Sequence, residues 1–443
     1  MFLRNSPETI KKNLITKLSD HTASVGIIGL GYVGLPLSIT FAKKGYKIYG
    51  FDKDEYKINH LKNLESYIRH ISSDEIHKAF SSNNHQFSTS FENISKCDAL
   101  IICVPTPLSK YRDPDLSYIT NTLDMIKNFL HEKLIISLES TTYPGTTEEI
   151  LLPFLSSLGY RVGEDIFLVY SPEREDPGNK TYSTVNIPKV VGGITPNCLE
   201  VGKYLYQSII NEVVEVSNTR TAEMTKLLEN IHRSVNIGLV NELKPLANAM
   251  SIDIFEVINA AATKPFGFVP YYPGPGLGGH CIPIDPFYLT WKAREFGMHT
   301  KFIELAGEIN SQMPYYVYNR AQEALNTAKL SINQSKILIL GLAYKKNVDD
   351  YRESPSVLII ESLAKSGAKV SFSDPYIKSC PEIDKLLSTN QSIDLDEKTI
   401  SSFDLVILLT DHDCFDYQLI LNSSSLIVDT RGKFNASKKI LTA

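Results

Sequence analysis

The sequence predicts an α/β protein in which two Rossmann-like, doubly wound domains are joined by a central helical domain with a long helix. Three features of the sequence support this fold class. Short apolar runs alternate with amphipathic stretches in the first third of the chain, a long helical pattern without strand signals follows, and the alternation then returns. A chain of 443 residues is also long enough for two or three domains.

The first predicted domain spans residues 1–215. Its candidate strands, in order, are VGIIGLG, KIYGFD, CDALIICVP, KLIISLES and IFLVYS. The stretch 22–42 has no charged residue, so a membrane span is an alternative there. However, four glycines and a proline interrupt it, which is typical of a strand, a glycine turn and a helix. We therefore expect a parallel sheet and no membrane segment.

The second and third predicted domains span residues 216–328 and 329–443. The segment TAEMTKLLENIHRSVNIGLVNELKPLANAM predicts the long helix of the central domain. The candidate strands of the last domain are KILILGLAY, KVSFSDP, FDLVILLTD and SLIVDTRG. Both α/β domains end their second strand with an aspartate, Asp52 or Asp374. Because ligands bind at the carboxyl ends of such strands and at domain interfaces, we predict the active site in the cleft between the two sheets.

Composition and charge argue against several classes of protein. The chain is 43% hydrophobic and 21% charged with a net charge of −5, whereas a nucleic-acid binder usually has a basic face. Residues 1–20 lack the apolar segment and cleavage site of a secretory signal. The six cysteines show no CxxC and no paired spacing, which favours a reducing compartment. We expect a cytoplasmic protein with no metal, no nucleic-acid partner and no membrane partner.

A GxGxxG motif directly after the first strand predicts a dinucleotide site. The first glycine allows the tight turn, the second allows the backbone to approach a pyrophosphate, and the third allows close packing of helix and strand. Asp52 strengthens the prediction, because a carboxylate there accepts hydrogen bonds from the ribose 2′-OH and repels a 2′-phosphate. The motif therefore predicts NAD rather than NADP. The residues of the turn are Gly29, Gly31, Tyr32, Val33 and Gly34.

A second glycine-rich segment, PYYPGPGLGGHCIPIDP at 270–286, surrounds Cys281. Such a loop exposes backbone N–H groups that bind an anion such as a diphosphate, and it can present a thiol at a rigid position. His280 suggests a Cys/His hydrolase, but neighbours in sequence rarely face each other as a nucleophile and its base must. A buried cysteine in a tight loop is the alternative. We give that structural interpretation to the other cysteines, Cys97, Cys103, Cys198, Cys380 and Cys414.

Lys226 and Asn230 lie four residues apart on the predicted long helix, so they share one face. Two interpretations stay open for this face. Either Lys226 is solvated and pairs with Glu223, or the face looks into the cleft, where an ammonium stabilises a developing alkoxide. Thr141 and Glu173 both follow predicted strands, so each is a ligand-binding residue or a cap.

Three cations follow strands of the last domain. Lys345 and Arg352 lie in KKNVDDYRESPS after its first strand, and Arg431 lies in DTRGKF after its last. Cations of this kind suit a diphosphate, although charge runs are more often solvated. Their place at the ligand end of the strands favours binding.

Together these motifs resemble the nucleotide-sugar 6-dehydrogenase family, which comprises the UDP-glucose, GDP-mannose and UDP-N-acetylhexosamine dehydrogenases. The resemblance runs from about Val25 to Phe434. It includes GLGYVGLP, VPTP, EST, SPER, AEMTKLLEN, GPGLGGHCIPIDP, YKKNVDDYRESP and DTRGKF. Within the family, the SPER and GGHCIPIDPFYL segments look most like the N-acetylhexosamine branch, in particular the UDP-N-acetylglucosamine 6-dehydrogenases.

The resemblance implies a four-electron oxidation of a sugar C6 alcohol to a carboxylate by two NAD molecules, for surface polysaccharide such as O-antigen or capsule. It implies that Cys281 forms a thiohemiacetal and then a thioester, and that Lys226 stabilises the alkoxide and oxyanion. Asp285 would orient or activate water, and Glu173 would act as a base in thioester hydrolysis. Asn230 and Thr141 would position sugar and water.

The resemblance also implies binding residues and an assembly. Around NAD it adds Thr106, Thr141 and Arg352 to the glycine turn and Asp52. Around the UDP-N-acetylhexosamine substrate it places Glu173, Arg174, Lys226, Asn230, Tyr271, Tyr272, Gly276, Gly278, Lys345 and Arg431. The family expectation is a homodimer, or a higher homo-oligomer, through the long middle helix.

Two departures from the family pattern limit the transfer of roles. UDP-glucose enzymes usually carry a second glutamate where this chain has Pro177, so neither that role nor glucose specificity is carried over. Many relatives also place an arginine before the glycine loop that reaches a neighbouring subunit's substrate. Here the segment reads ATKPFGFVPYYPG, in which Lys264 is the one candidate for a substitute, so a contact with a neighbouring subunit's substrate is not carried over.

Several other functions are compatible with parts of the sequence. UDP-N-acetylmannosamine and UDP-glucose are alternative substrates within the family. A two-electron hydroxyacid dehydrogenase also combines a dinucleotide domain with a lysine on a helix, but it has no use for the cysteine loop. A non-catalytic sensor of NAD and a sugar nucleotide belongs to another class and needs no matched thiol, lysine and carboxylates.

Overall fold

The computed structural model describes residues 6–69, 71–82, 84–109, 112–174, 185–279, 282–435 and 437–443. The chain divides into two compact units, the first formed by Met1–Glu229 with Trp291–Gly297 and the second by Asn230–Thr290 with Met298–Ala443. Each unit contains one mainly or fully parallel sheet, and the predicted long helix is present. The predicted fold class is therefore confirmed, whereas the predicted domain boundaries stay predictions.

The first unit contains an eight-stranded sheet with the order β3-β2-β1-β4-β5-β6-β7-β8. All neighbouring strands are parallel except β6 and β7. The strands are β1 Ser24–Ile28, β2 Lys47–Phe51, β3 His85–Ser88, β4 Ala99–Ile102, β5 Ile135–Leu138, β6 Phe167–Tyr170, β7 Lys189–Gly193 and β8 Val213–Glu215.

Helices cover both faces of this sheet, so its central strands are apolar along their whole length. In β1, Ile27 packs into the hydrophobic cluster on one face and Ile28 into the cluster on the other. The helices before the long helix are α1 Pro7–Ser19, α2 Gly34–Lys43, α3 Glu55–Lys62, α4 Ser73–Phe80, α5 Ser117–Ile126, α6 Leu152–Ser157 and α7 Pro196–Gln207. A 3-10 helix spans Glu92–Lys96 and a π-helix spans Thr147–Leu151.

The long helix α8 spans Thr219–Ala249 and is followed by α9 Ile254–Ala261, α10 Asp285–Ala293 and α11 Lys301–Thr327. The second unit then forms a fully parallel sheet with the order β10-β9-β11-β12-β13. Its strands are β9 Lys336–Leu340, β10 Lys369–Ser373, β11 Leu405–Leu408, β12 Ile427–Asp429 and β13 Ile440–Thr442. Its other helices are α12 Pro355–Lys365, α13 Glu397–Ser401 and α14 Tyr417–Ser423, with 3-10 turns at Arg294–Phe296 and Asp384–Leu386.

The uncharged stretch 22–42 forms β1, the glycine turn and most of α2. Within the described ranges, no helix is both long enough and apolar enough to cross a membrane.

Candidate active site

The glycine turn after β1 has the geometry that a dinucleotide needs. Gly29 has a φ of +89°, and a Cβ there would lie 2.5 Å from the carbonyl oxygen of Cys103. A Cβ on Gly34 would collide with the carbonyl oxygen of Gly29. By contrast, a Cβ on Gly31 would meet nothing within 4 Å, so the backbone there faces open space at the start of α2. The turn therefore fits the diphosphate of NAD.

Asp52 lies at the end of β2 and is oriented towards this turn. Its carboxylate accepts the backbone N–H of Leu30 at 2.9 Å and an ammonium hydrogen of Lys57 at 3.0 Å. The Tyr67 hydroxyl donates to the carbonyl of Leu30, and burial raises the pKa of this phenol, which keeps it protonated. Thr106 is buried after β4. The sequence did not single out Lys57 or Tyr67, although Lys57 comes soon after Asp52 in the chain.

A small pocket opens at the carboxyl ends of β5 and β6. In the sheet order, these strands lie on the other side of β1 from β2. The pocket lining comes from the start of α2, the segments after β5 and β6, and the segment leading into β7: Val33, Leu37, Glu139, Glu173, Arg174, Ile187, Pro188 and Lys189. Two predicted substrate-binding residues, Glu173 and Arg174, therefore lie in one pocket with Val33 of the glycine turn.

Lys226 of α8 joins this group through an ion pair. Its side chain is only 6% exposed, and its ammonium lies 3.2 Å from a Glu173 carboxylate oxygen. Arg174 forms a second ion pair, 2.6 Å from Glu229, and donates to the carbonyl of Pro188. Since Lys226 is buried against Glu173, the interpretation of a solvated surface lysine is wrong.

Glu223, the partner expected for Lys226 in that interpretation, is also fully buried. Its carboxylate accepts the backbone N–H of Gly145 at 2.5 Å, the backbone N–H of Thr147 at 2.9 Å and the Thr147 hydroxyl at 2.7 Å. Glu223 thus fixes the segment that follows Thr141, which is half-buried after β5. Burial raises the pKa of the Glu223 carboxyl to about 7.

Because of this raised pKa, we expect the stability of the protein to fall as the pH rises towards neutrality. The folded state keeps Glu223 protonated at pH values where the unfolded chain is already ionised. The stabilisation is complete below pH 4.5 and is lost as the pH rises through about 7. The shift corresponds to about 3 kcal/mol. Urea unfolding of wild type and Glu223→Gln between pH 5 and pH 8 measures this change in the free energy of unfolding. A difference in that free energy between the two proteins that does not depend on pH would contradict the prediction.

In the second unit, the structure brings together two predicted catalytic residues. Asn230 Nδ2 donates to Asp285 Oδ2 at 2.5 Å. Asp285 is buried and is the first residue of α10. The predicted nucleophile Cys281 and its neighbour His280 lie outside the described residues.

The glycine loop of the second unit packs against the predicted substrate cation Arg431. The backbone N–H of Gly274 donates to Asn241 at 3.0 Å, and a Cβ on Gly274 would lie 2.8 Å from the Arg431 guanidinium. Gly276 has a φ of +134°, and a Cβ on Gly278 would lie 2.6 Å from the Tyr344 side chain. The loop shape therefore depends on its glycines.

The other predicted residues of this unit lie near the same segments or on its surface. Tyr271 shares a hydrogen bond with His232, whereas Tyr272 donates to Asn259 and is 46% exposed. Lys345 is half-buried after β9. Arg352 is half-exposed and pairs with Asp350 at 2.6 Å.

Asp374, the counterpart of Asp52 in the second sheet, is used differently. It is buried, and it accepts the backbone N–H groups of Leu342, Ala343, Tyr376 and Ile377. His412 Nε2 also lies 3.1 Å from its carboxylate. Because His412 Nδ1 accepts the N–H of Asn347, Nε2 carries the hydrogen. These donors surround the Asp374 carboxylate.

The cysteines that the structure describes have ordinary structural environments. Burial raises the pKa of Cys97 and of Cys380 to about 12 and also raises that of Cys198. Cys103 is half-buried and Cys414 is exposed. Within the described ranges, no three His, Cys, Asp or Glu side chains come together as metal ligands would.

Comparison with known proteins assigns a domain description to each part of the chain. Residues 23–210 match the NAD binding domain of the UDP-glucose/GDP-mannose dehydrogenase family. Residues 220–312 match the central domain of that family, and residues 338–436 match its UDP binding domain.

Individual relatives are similar over most of their length. A UDP-N-acetyl-D-glucosamine 6-dehydrogenase of Pseudomonas aeruginosa is 36% identical, with 80% of this chain and 83% of the relative covered. A UDP-N-acetyl-D-mannosamine dehydrogenase of Methanococcus maripaludis is 38% identical, with 88% and 86% covered. The solved structure of a UDP-D-ManNAc dehydrogenase from Pyrococcus horikoshii superposes with a TM-score of 0.85 at 31% identity, covering 94% of this chain and 96% of that one.

Proposed function

The chain belongs to the UDP-glucose/GDP-mannose dehydrogenase family, and from that membership we propose that it oxidises the C6 hydroxyl of UDP-N-acetyl-D-glucosamine to UDP-N-acetylglucosaminuronate. It is an NAD-dependent nucleotide-sugar 6-dehydrogenase, so the alternative of a non-catalytic sensor is set aside. The N-acetylglucosamine assignment is supported by the relative from Pseudomonas aeruginosa. The uronic-acid product would supply surface polysaccharide, and the enzyme would act in the cytoplasm as a homodimer or a higher homo-oligomer.

The observation that carries this proposal is the buried Lys226–Glu173 pair beside the pocket of the NAD-binding sheet. A buried ammonium stabilises an alkoxide far better than a solvated one, because little water competes with it. NAD, held by the glycine turn and Asp52, would supply the acceptor for the hydride from the sugar C6. As the hydroxyl proton leaves, Lys226 would stabilise the negative charge on the C6 oxygen, and Glu173 would hold the ammonium in place.

The second oxidation requires the predicted nucleophile. The Cys281 sulfur would add to the C6 aldehyde, and its proton would pass to the former carbonyl oxygen to give a thiohemiacetal. Transfer of a second hydride to a second NAD, with loss of the hydroxyl proton, would leave a thioester. Water, oriented by Asp285 with Asn230, would attack this thioester, release the carboxylate and regenerate the thiol. Glu173 would accept a proton from the attacking water.

UDP-N-acetyl-D-mannosamine is the second candidate substrate. The relatives from Methanococcus maripaludis and Pyrococcus horikoshii favour it, since they carry that name and are 38% and 31% identical to this chain. The two sugars differ in configuration at one carbon, so the same machinery would oxidise either.

An NADH assay with a panel of nucleotide sugars tests the proposal. We expect the highest kcat/KM with UDP-N-acetylglucosamine and two NADH formed for each sugar consumed. The other panel members are UDP-N-acetylmannosamine, UDP-glucose, UDP-galactose and GDP-mannose. Higher kcat/KM with the manno epimer would replace the substrate assignment, and one NADH per sugar with accumulating aldehyde would overturn the four-electron reaction.

A further inference from the structure

Glu139 and Lys189 form a buried ion pair in the wall of the pocket. Glu139 follows β5 and Lys189 begins β7, and their carboxylate and ammonium lie 2.6 Å apart. The Lys189 side chain is 9% exposed and that of Glu139 only 1% exposed. A buried ion pair gains little net stability over an apolar pair, so its place in a pocket wall points to a further use.

Tyr206 and Ser137 extend the pair into a buried hydrogen-bonded network. The Tyr206 hydroxyl donates to the second Glu139 carboxylate oxygen at 2.7 Å and shares a hydrogen bond with Ser137. Burial raises the pKa of Tyr206 well above its usual value, so the phenol stays protonated. The Lys189 ammonium also lies 5.1 Å from the centre of the Tyr206 ring. Tyr206 thus contacts both members of the pair, one through its hydroxyl and the other through its ring.

Both members of the pair have hydrogen-bonding capacity left. An ammonium has three N–H donors, and the hydrogen bonds of Lys189 in the described part of the chain use one of them, on Glu139. A carboxylate offers about four acceptor positions. Within the described residues, the side chains of Lys189 and Tyr206 use two of those of Glu139. A neutral group with one acceptor next to one donor would match this pair. A carboxamide is such a group.

The position of the pocket indicates which carboxamide binds there. Val33 and Leu37, at the start of the dinucleotide helix α2, line the same pocket as Glu139 and Lys189. Asp52, which marks the adenosine half of the dinucleotide, follows β2 on the other side of β1. The nicotinamide half would therefore lie on the side of β5 and β6, where this pocket opens.

We propose that the Glu139–Lys189 pair recognises the carboxamide of the nicotinamide ring. Lys189 donates to its carbonyl oxygen, and Glu139 accepts from its N–H. The two contacts fix which face of the ring is turned towards the sugar, which makes Glu139 and Lys189 positioning residues for hydride transfer. The inference rests on the use of NAD in the proposed function, but it does not depend on which sugar is oxidised.

Exchange of the two residues separates this role from a purely structural one. The variant Glu139→Lys/Lys189→Glu keeps an ion pair between β5 and β7 but exchanges the positions of donor and acceptor. NADH binding is measured by fluorescence, without sugar, for wild type and variant. The same titration is run with the reduced analogue whose carboxamide is replaced by an acetyl group, which lacks the N–H donors.

We expect wild type to bind NADH about tenfold or more tightly than the acetyl analogue, because the analogue leaves a buried carboxylate without its N–H donor. The exchanged variant should melt near the wild-type temperature and bind both ligands equally and weakly. If this variant had both the wild-type melting temperature and the wild-type preference for NADH over the acetyl analogue, the pair would be only structural. That result would overturn the proposal.

Further variants keep the test decisive if the exchanged protein does not fold. Glu139→Gln/Lys189→Met removes both charges with similar volume, and we expect it to fold and to lose the discrimination. Tyr206→Phe perturbs the same network from outside the pocket, and we expect it to retain the discrimination. A change in the ratio of KM for UDP-N-acetylglucosamine and UDP-glucose, with the preference for NADH unchanged, would assign the pair to the sugar's acetamido group and overturn the proposal.

Discussion

Replacement of Lys226 by methionine is expected to lower kcat by about 10²–10³-fold, the usual effect of removing one donor that stabilises a developing oxyanion. Methionine keeps an unbranched side chain of similar length in the buried site but cannot hold a charge. Because Lys226 is proposed to act on the alkoxide and not on the cofactor, the affinity for NADH should change little. Steady-state assays with the preferred sugar, together with NADH titration, measure both quantities.

Lys292 provides the matched control for Lys226. It is also a buried lysine of the first unit, and it pairs with Glu149 and Glu295, which do not line the pocket. Lys292→Met should lower the melting temperature and leave kcat within about twofold of wild type, since its ion pairs are structural. A Lys226→Met variant that loses stability to the same degree but keeps at least half of the wild-type kcat would exclude Lys226 from the chemistry.

Replacement of Cys281 by serine is expected to have the largest effect, lowering formation of the acid by at least about 10³-fold, as loss of a covalent nucleophile does in other enzymes. A serine hydroxyl is a far weaker nucleophile than a thiolate, so the aldehyde is not captured and the second oxidation stalls. We expect NADH binding to be unaffected. Product analysis by mass spectrometry, with NADH counted per sugar consumed, distinguishes loss of the second oxidation from loss of both.

Cys414→Ser is the control for this variant. Cys414 is the exposed thiol among the described cysteines, and its replacement should leave stoichiometry and rate unchanged. If Cys281→Ser still converted the sugar fully to the acid with two NADH, a thioester on Cys281 would be ruled out.

The parallel sheets could be predicted because their central strands are buried on both faces. In β1, successive residues enter two different hydrophobic clusters, so the strand appears in the sequence as an uninterrupted apolar run. The edge strands β3, β8 and β13 have three or four residues and are partly exposed, which leaves them without such a run. The antiparallel strand β7 was missed as well, because KVVGG offers only two consecutive large apolar residues.

The sequence was sufficient to predict which residues share a face of the long helix, but not which residues contact that face. Helical spacing shows that Lys226 shares a face with Glu223, but it does not show what covers that face. In the structure Glu223 binds the segment after β5 and Lys226 binds a residue after β6. Similarly, Glu139 and Lys189 lie far apart in the sequence, and the signal that could have drawn attention to Glu139 was a charged residue directly after an apolar strand.

The contrast between Asp52 and Asp374 has a consequence for the order of events in one catalytic cycle. Four backbone N–H groups and His412 of the second unit already surround Asp374. A ribose diol could bind this carboxylate only by displacing some of these donors. Within the described residues the Rossmann-like architecture occurs twice, and Asp52 of the first copy is the predicted ribose acceptor. If the proposed four-electron oxidation takes place, its two hydride transfers would both use this one dinucleotide site, one after the other. In the proposed reaction, the half-oxidised sugar would therefore stay covalently bound to Cys281 while the cofactor at this one site is exchanged.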